Sequence, residues 1–410
     1  IEKAKAGDTI TLLADVKDAA IEITVSDLTL DLNGHTISGK EHPLSEHSSS
    51  STPQPGGYTP AAITIGTGSR DEQGILGTFT LKNGTISEGS GLRIYEELET
   101  LIVEEVTFKE NVASNAIQSV GGAAIHWRAG NSRETVVGSS AIFTNCQFLN
   151  NESNYQGSGD PNGGAVMVAN VETISFTDCI FRGNNSTGTN TSNNSVTGVG
   201  GAVYTDYCGS ISFDECDFAE NTAASLSGGG AVFMQLNGTA NFTNCTFTQN
   251  EALIGGAGAV GIYSTGNEEN PVTISNCTFT ENTAAYGGAL WLSGSFVALN
   301  DNTLRENTAS YYGGAMMVQA NANVTLNGDV ISNTASNGGA IYAQWGYDNQ
   351  AAVVAPIVEI NGNLIENTAE TDGGAVYSNI SYVTINGLVT GNTAGRNGGG
   401  VYSFNGSPEY

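Results

Sequence analysis

Basic residues are the scarcest chemistry in this chain. Its 410 residues carry 13 Lys and Arg against 41 Asp and Glu, for a net charge of −28. No Lys follows Glu134, and the only Arg beyond it are Arg182, Arg305 and Arg396. Such a surface repels phosphate backbones and anionic lipid, which argues against nucleic acid and membrane surfaces as partners. No run of about 20 apolar residues occurs, so no segment reads as a membrane-spanning helix. No stretch shows helical periodicity over a useful length. No two of the 6 Cys are spaced as CxxC, which leaves the common zinc and thioredoxin-type motifs unsupported. No signal-peptide pattern is visible, and the chain opens at Ile1 without Met. The start at Ile1 predicts a piece cut from a longer precursor.

Glycine, by contrast, is abundant at 54 residues, and it recurs in a pattern. An apolar residue followed three positions later by Asn appears ten times: at Asn111, Asn151, Asn184, Asn221, Asn250, Asn282, Asn307, Asn333, Asn367 and Asn392. After each comes Gly-Gly-Ala plus an aliphatic residue, as in "GGAVM" from Gly163, "GGALW" from Gly287 and "GGAVY" from Gly373; the copy at Ala257 is degraded. The ten Asn span 111 to 392, a mean period of about 31 residues. Periods of this size mark solenoids and propellers. Short alternating runs such as "VTIS", "NVTL" and "VEIN" lie between the signatures and read as strands. A propeller blade needs roughly 40–50 residues, whereas Asn282 to Asn307 is only 25. The pattern therefore predicts an all-β, right-handed parallel β-helix of about a dozen coils with three strands each, roughly 55–60 Å long.

In such a coil each residue stacks on its counterpart about 4.8 Å away. The ten Asn are expected to form a ladder at one corner. Gly-Gly is expected at another corner with positive φ. Cys146, Cys179, Cys216, Cys245 and Cys277 each stand two residues before the motif Phe, and parallel side chains aim their sulfurs poorly for disulfides. They read as a structural column of buried thiols behaving as small hydrophobes; Cys208 lies outside it. Two residues past each Gly-Gly-Ala comes a second column: Ile125, Met167, Tyr204, Phe233, Gly261, Trp291, Met317, Tyr342, Tyr377 and Tyr402. Period-2 alternation sends it outward if its neighbour points in. Tyr204, Phe233, Trp291, Tyr342, Tyr377 and Tyr402 are thus the candidate ligand-binding residues, since aromatic rows stack on sugars and anchor protein partners.

Residues 1–100 form a cap and the opening coils, "DLTLDLNGHTISG" and "GTFTLKNGTISEG", with Asn-Gly corners. Residues 101–410 are repeat coils of the same solenoid, expected to continue past Tyr410. Polar insertions are predicted as solvated loops at 40–61, 66–75, 128–139, 152–162, 185–199, 264–271 and 345–356.

The paired motifs Gly-Gly-Ala-aliphatic and Phe-x-x-Asn resemble those of the chlamydial polymorphic outer membrane proteins, and of the wider group of right-handed β-helix adhesin-like surface proteins. The resemblance covers about residues 101–404. It implies a secreted or surface-displayed passenger that binds a host or neighbouring-cell glycan or protein, anchored through parts outside this chain, with no catalytic residues. A monomer is expected.

Two alternatives stand beside that reading: a carbohydrate-active β-helix enzyme, such as a polysaccharide lyase or glycosidase, and a structural stalk. A glycosidase needs two carboxylates about 5–9 Å apart. Glu281 with Glu306, or Asp178 with Asp214 or Glu215, are the aligned candidates. A lyase needs a basic residue, and these are scarce. Glu110, Glu220, Glu281, Glu306 and Glu366 precede the corner Asn and read as facing water. No catalytic residue, metal ligand or cofactor is expected. The acidic balance permits Ca²⁺, but no Gly-Gly-x-Gly-x-Asp repeat supports it. His42 and His47 share one loop and form the one candidate metal pair.

Overall fold

The computed structural model describes residues 3–39, 61–66, 75–95, 97–114, 121–129, 136–154, 156–157, 162–190, 195–224, 228–347 and 353–404. His42 and His47 lie outside them, as do most of the 40–61 and 66–75 insertions. The described residues contain strands and turns and no helix, and the strands of successive coils pair in parallel. This is an all-β parallel β-helix. It divides into two compact units, Ile1–Ile211 and Ser212–Tyr410, each built on the same coil.

One coil of the second unit shows the plan. Val272–Ser275, Thr278–Thr280, Thr283–Tyr286 and Leu290–Ser293 follow one another. The next coil places Val297, Thr303, Thr308 and Met316 beside Val272, Thr278, Thr283 and Leu290. The expected three strands are in fact four, because the Cys position is a bend and not part of a continuous strand. Each bend begins with a left-handed residue: Asn276 (φ 55°), Glu281 (56°) and Gly287 (60°). A left-handed L-residue costs about 1–2 kcal/mol, less for Asn and Asp. The ladder interactions at each bend must offset that cost. The glutamates before the corner Asn therefore hold the turn as well as meeting solvent.

The two glycines of each corner do different jobs. Gly287, Gly313, Gly338 and Gly373 carry positive φ. The glycine after each does not, yet a Cβ there would meet backbone: at Gly288 it would lie 2.0 Å from Gly314 O, and at Gly314 2.1 Å from Gly339 O. The first supplies conformation and the second supplies clearance.

Inside, like packs on like. In the first unit Phe108, Phe148 and Phe181 stack with centroids 5.2 and 4.7 Å apart and planes within 4°. In the second, Phe218, Phe247 and Phe279 stack at 4.7 Å. A neighbouring column, Phe213 on Phe242, meets them edge to face, with 71° between Phe213 and Phe218. Both arrangements suit the ring quadrupole.

The asparagines are fully buried, apart from Asn392 on the last coil, and form ladders in both units. In the second unit each Asn Nδ2, from Asn221 to Asn367, donates to the next Asn Oδ1 at 2.9–3.0 Å. The backbone N of the same residue donates to that oxygen too, at 2.8–3.1 Å. From Asn250 onward Nδ2 also donates to the motif-residue carbonyl one coil back, such as Phe247 O for Asn282. Asn111, Asn151 and Asn184 repeat the pattern in the first unit. A second amide ladder, Asn300, Asn327, Asn361 and Asn386, runs along the exterior at 2.7–3.0 Å.

The two ladders give contrasting expectations. Asn282→Ala strands the N and Nδ2 of Asn250 and the carbonyl of Phe247. At about 1–3 kcal/mol for each of the three buried orphans, it should destabilise by at least about 3 kcal/mol. Asn386→Ala, on the exposed ladder, should stay within about 0.5 kcal/mol. Urea unfolding of the two variants checks the contrast.

Candidate functional site

The sheet that follows the Gly-Gly corners carries the candidate column. In the second unit its inner residues Val232, Val260, Leu290, Met316, Ile341 and Val376 are fully buried. Alternation turns Phe233, Trp291, Met317, Tyr342, Tyr377 and Tyr402 away from that core. They do not stand open, however. Phe233, Trp291 and Tyr342 are only 5–6% exposed, while Tyr377 and Tyr402 are half-buried. The column covers itself. Phe233 lies against Gly261, where a Cβ would come within 2.8 Å of the ring. Tyr263 stacks on Trp291 at 6.4 Å. Tyr342 stacks on Tyr377 at 4.7 Å and 15°. Faces expected to receive a sugar are thus covered, by neighbouring rings at Trp291 and Tyr342 and by Gly261 at Phe233.

A second column completes this surface, and the sequence reading missed it. Tyr286, Tyr312, Asn337, Asp372 and Asn397 each stand immediately before a Gly-Gly pair, and they pair in that order. The glycine corner has no side chains, so the columns before and after it meet across it. Tyr312 stacks on Tyr342 at 4.4 Å. Tyr286 contacts Tyr312 at 5.7 Å and Tyr311 at 5.9 Å, and Tyr377 contacts Tyr402 at 5.1 Å. Six tyrosines form one contiguous strip in which Tyr311, 55% exposed, is the most open ring. Beside it Arg396 Nε donates to Asp372 Oδ1 at 3.2 Å, Nη2 donates to Oδ2, and Asn397 Nδ2 donates to Oδ1 at 2.7 Å. The Arg396 guanidinium holds the Asp372 carboxyl below its usual range. That pairing is present above the ordinary aspartate value and is lost as pH falls through the depressed one. Burial, with Tyr402 and Asp372 nearby, raises the Tyr377 phenol.

In the first unit the matching column differs. Ile125, not Ala124, pairs with Val166 and is fully buried, so the expected placement of Ile125 in the outer column is one residue out of register. The outer column there is Arg93, His126, Met167 and Tyr204. Tyr204 is 6% exposed and its hydroxyl hydrogen-bonds Asp206; burial first, then Asp206, pushes the phenol far above its ordinary value.

The aligned carboxylates of the second unit are exposed and engaged. Gln249 Nε2 donates to Glu281 Oε2 at 2.8 Å, and Arg305 Nε lies 3.6 Å from Glu306 Oε1. Among the described residues no group of three or more His, Cys, Asp or Glu is placed to hold a metal ion.

The six cysteines are buried free thiols. They close the bends: Cys146, Cys245 and Cys277 donate to the carbonyl two residues back at 3.3–3.4 Å. Asn302 succeeds Cys277 in the column and does the same work, accepting from Cys277 N at 2.8 Å and donating to Ile274 O at 2.7 Å. Burial pushes the Cys208 thiol up to about 12. Its contribution to stability is therefore complete below the ordinary thiol value, about 8.5, and is lost as pH rises towards 12. The unfolding midpoint should fall more steeply between about pH 9 and 11 in the parent than in Cys208→Ala.

A family model described as "Right handed beta helix region" matches residues 253–410. It agrees with the parallel sheets in giving a right-handed β-helix. A search of the curated proteins finds no match.

Proposed function

We propose that this β-helix is an adhesin-like, secreted or surface-displayed protein that binds a glycan or protein ligand on a host or neighbouring cell. The observation that carries the reading is the tyrosine strip of the second unit. Tyrosine suits recognition because it offers a rigid apolar ring and a hydroxyl with little rotamer entropy to lose. Here the rings brace one another along the glycine corners, and Tyr311 is the most open of them. Asp372, Arg396 and Asn397 add fixed donors and acceptors at one end. The motif resemblance to adhesin-like surface proteins points the same way. Anchoring to a cell would reside in parts other than these coils.

The strip divides into residues that frame it and residues that would touch ligand. Tyr342 and Trp291 are buried, so their replacement by Ala should cost stability first. Tyr311, Tyr402 and Arg396 are the ones to change. A glycan array and a host-protein panel should yield a ligand for the purified chain. The triple variant Tyr311→Ala, Tyr402→Ala, Arg396→Ala should bind it at least tenfold more weakly while unfolding within a few degrees of the parent. Undiminished binding by that variant would remove the strip from the proposal. Cleavage of a glycan hit would replace adhesion with catalysis.

A further inference from the structure

Three buried thiols of the second unit stand on consecutive coils. Cys216, Cys245 and Cys277 immediately precede Asp217, Thr246 and Thr278, which pair in that order. All three are at most 2% exposed, and none forms a disulfide. They are nonetheless shallow. Asn244 and Thr246 on either side of Cys245 are exposed, as are Asn276 and Thr278 on either side of Cys277.

The bonds these thiols make are unequally needed. Cys245 Sγ donates to Thr243 O and Cys277 Sγ to Ser275 O, each at 3.3 Å. Those two carbonyls already accept backbone N–H groups, from Glu215 and Asn244 at 3.0 Å. Loss of either thiol hydrogen would therefore orphan no carbonyl. The sulfur, by contrast, is needed as an acceptor, because Cys245 N donates to Cys277 Sγ at 3.4 Å. One coil on, Cys277 N donates to Asn302 Oδ1 in the same way. A charged acceptor strengthens such a bond, so a thiolate at Cys277 would serve Cys245 N better than a thiol does.

We infer that Cys216, Cys245 and Cys277 form a binding column for soft two-coordinate cations, each held in line between the sulfurs of adjacent coils. Thiolate ligands select Cu(I) among physiological metals. The spacing suits it: a metal–thiolate bond is about 2.3 Å, so two in line span about 4.6 Å, against about 4.8 Å between stacked residues. Structural zinc takes four ligands, and among the described residues no three His, Cys, Asp or Glu converge to begin such a set. Calcium and magnesium take oxygen ligands. A Cu(I) ion between Cys245 and Cys277 displaces their two thiol hydrogens as protons. It leaves one net negative charge, which the Cys245 N–H faces. Arg305 and Arg396 are the only basic residues after Ser212, so the field of this unit draws cations. The column is independent of the tyrosine strip and of any ligand there.

Silver titration of the folded chain tests the column, with Ag(I) as a redox-inert probe for Cu(I). Excess glutathione strips metal from single thiols, and gel filtration then separates bound from free. Cys179→Ala is the reference, because Cys146 and Cys179 make a matching pair in the first unit. The reference should retain Ag(I) and should not retain Zn(II). Adding Cys216→Ala or Cys277→Ala should leave one Ag(I), since one adjacent pair remains. Adding Cys245→Ala should leave none, although it also spares two of the three thiols. Ag(I) should raise the unfolding midpoint of the reference and of both end variants, and not of the middle one. If Cys245→Ala misfolds, Cys216→Ala with Cys277→Ala isolates Cys245 and should likewise retain none. Equal retention by the middle and end variants would overturn the column. Silver that lowers the midpoint of the reference would mark binding to unfolded chain and overturn it as well.

Discussion

The buried asparagine amide is the constraint on which the coils depend. An amide has two N–H donors and two acceptor lone pairs, and burying it is costly unless all are used. In the interior of the second unit all four are met. Nδ2 serves the next rung and a carbonyl behind it, and Oδ1 takes the side-chain and backbone donors of the rung before. No other side chain has that balance of donors and acceptors at that length. Aspartate would lack the donors, and glutamine would overshoot. The ladder explains why the residue before it tolerates a left-handed conformation and why the motif residue's carbonyl never needs water.

The other columns follow from that corner. Once the asparagines fix the bend, the motif Phe must point inward, and identical rings stack because identical positions recur. The cysteines sit at the preceding bend for a similar reason. A thiol is small enough for the interior and can still donate weakly to the carbonyl two residues back. Asn302 shows that an amide can take over the same place. Polar satisfaction of the bend, more than packing of an apolar column, is therefore the common demand.

Much of this was legible in the sequence. Ten Asn at a mean spacing near 31 and the recurring Gly-Gly fixed the architecture, the ladder and the buried thiols. Three things were not legible. The bend at the Cys position is easily passed over, because a single residue before each Cys (Asn145, Asp178, Glu215, Asn244 or Asn276) makes the turn between two strand-like runs. The one-residue offset at Ile125 arises because "GGAAI" offers two alignments to its neighbours, and only backbone pairing chooses between them. The burial of Tyr204, Phe233, Trp291 and Tyr342 depends on what lies across the glycine corner. Alternation gives direction but not cover. Tyr286 and Tyr312 could have been found, since the residue before each Gly-Gly pair is as regular a column as the one after it.

The rungs are also indifferent to how much chain separates them. Asn282 and Asn307 are 25 residues apart and Asn111 and Asn151 are 40, yet each pair makes the same bond within 0.1 Å. The rung is thus kept whatever length of chain lies between its two residues. Frame and decoration can therefore vary on separate clocks. Loops are free to lengthen, shorten or be exchanged under selection for what they meet outside, while the amide at each corner records only that one more turn was completed.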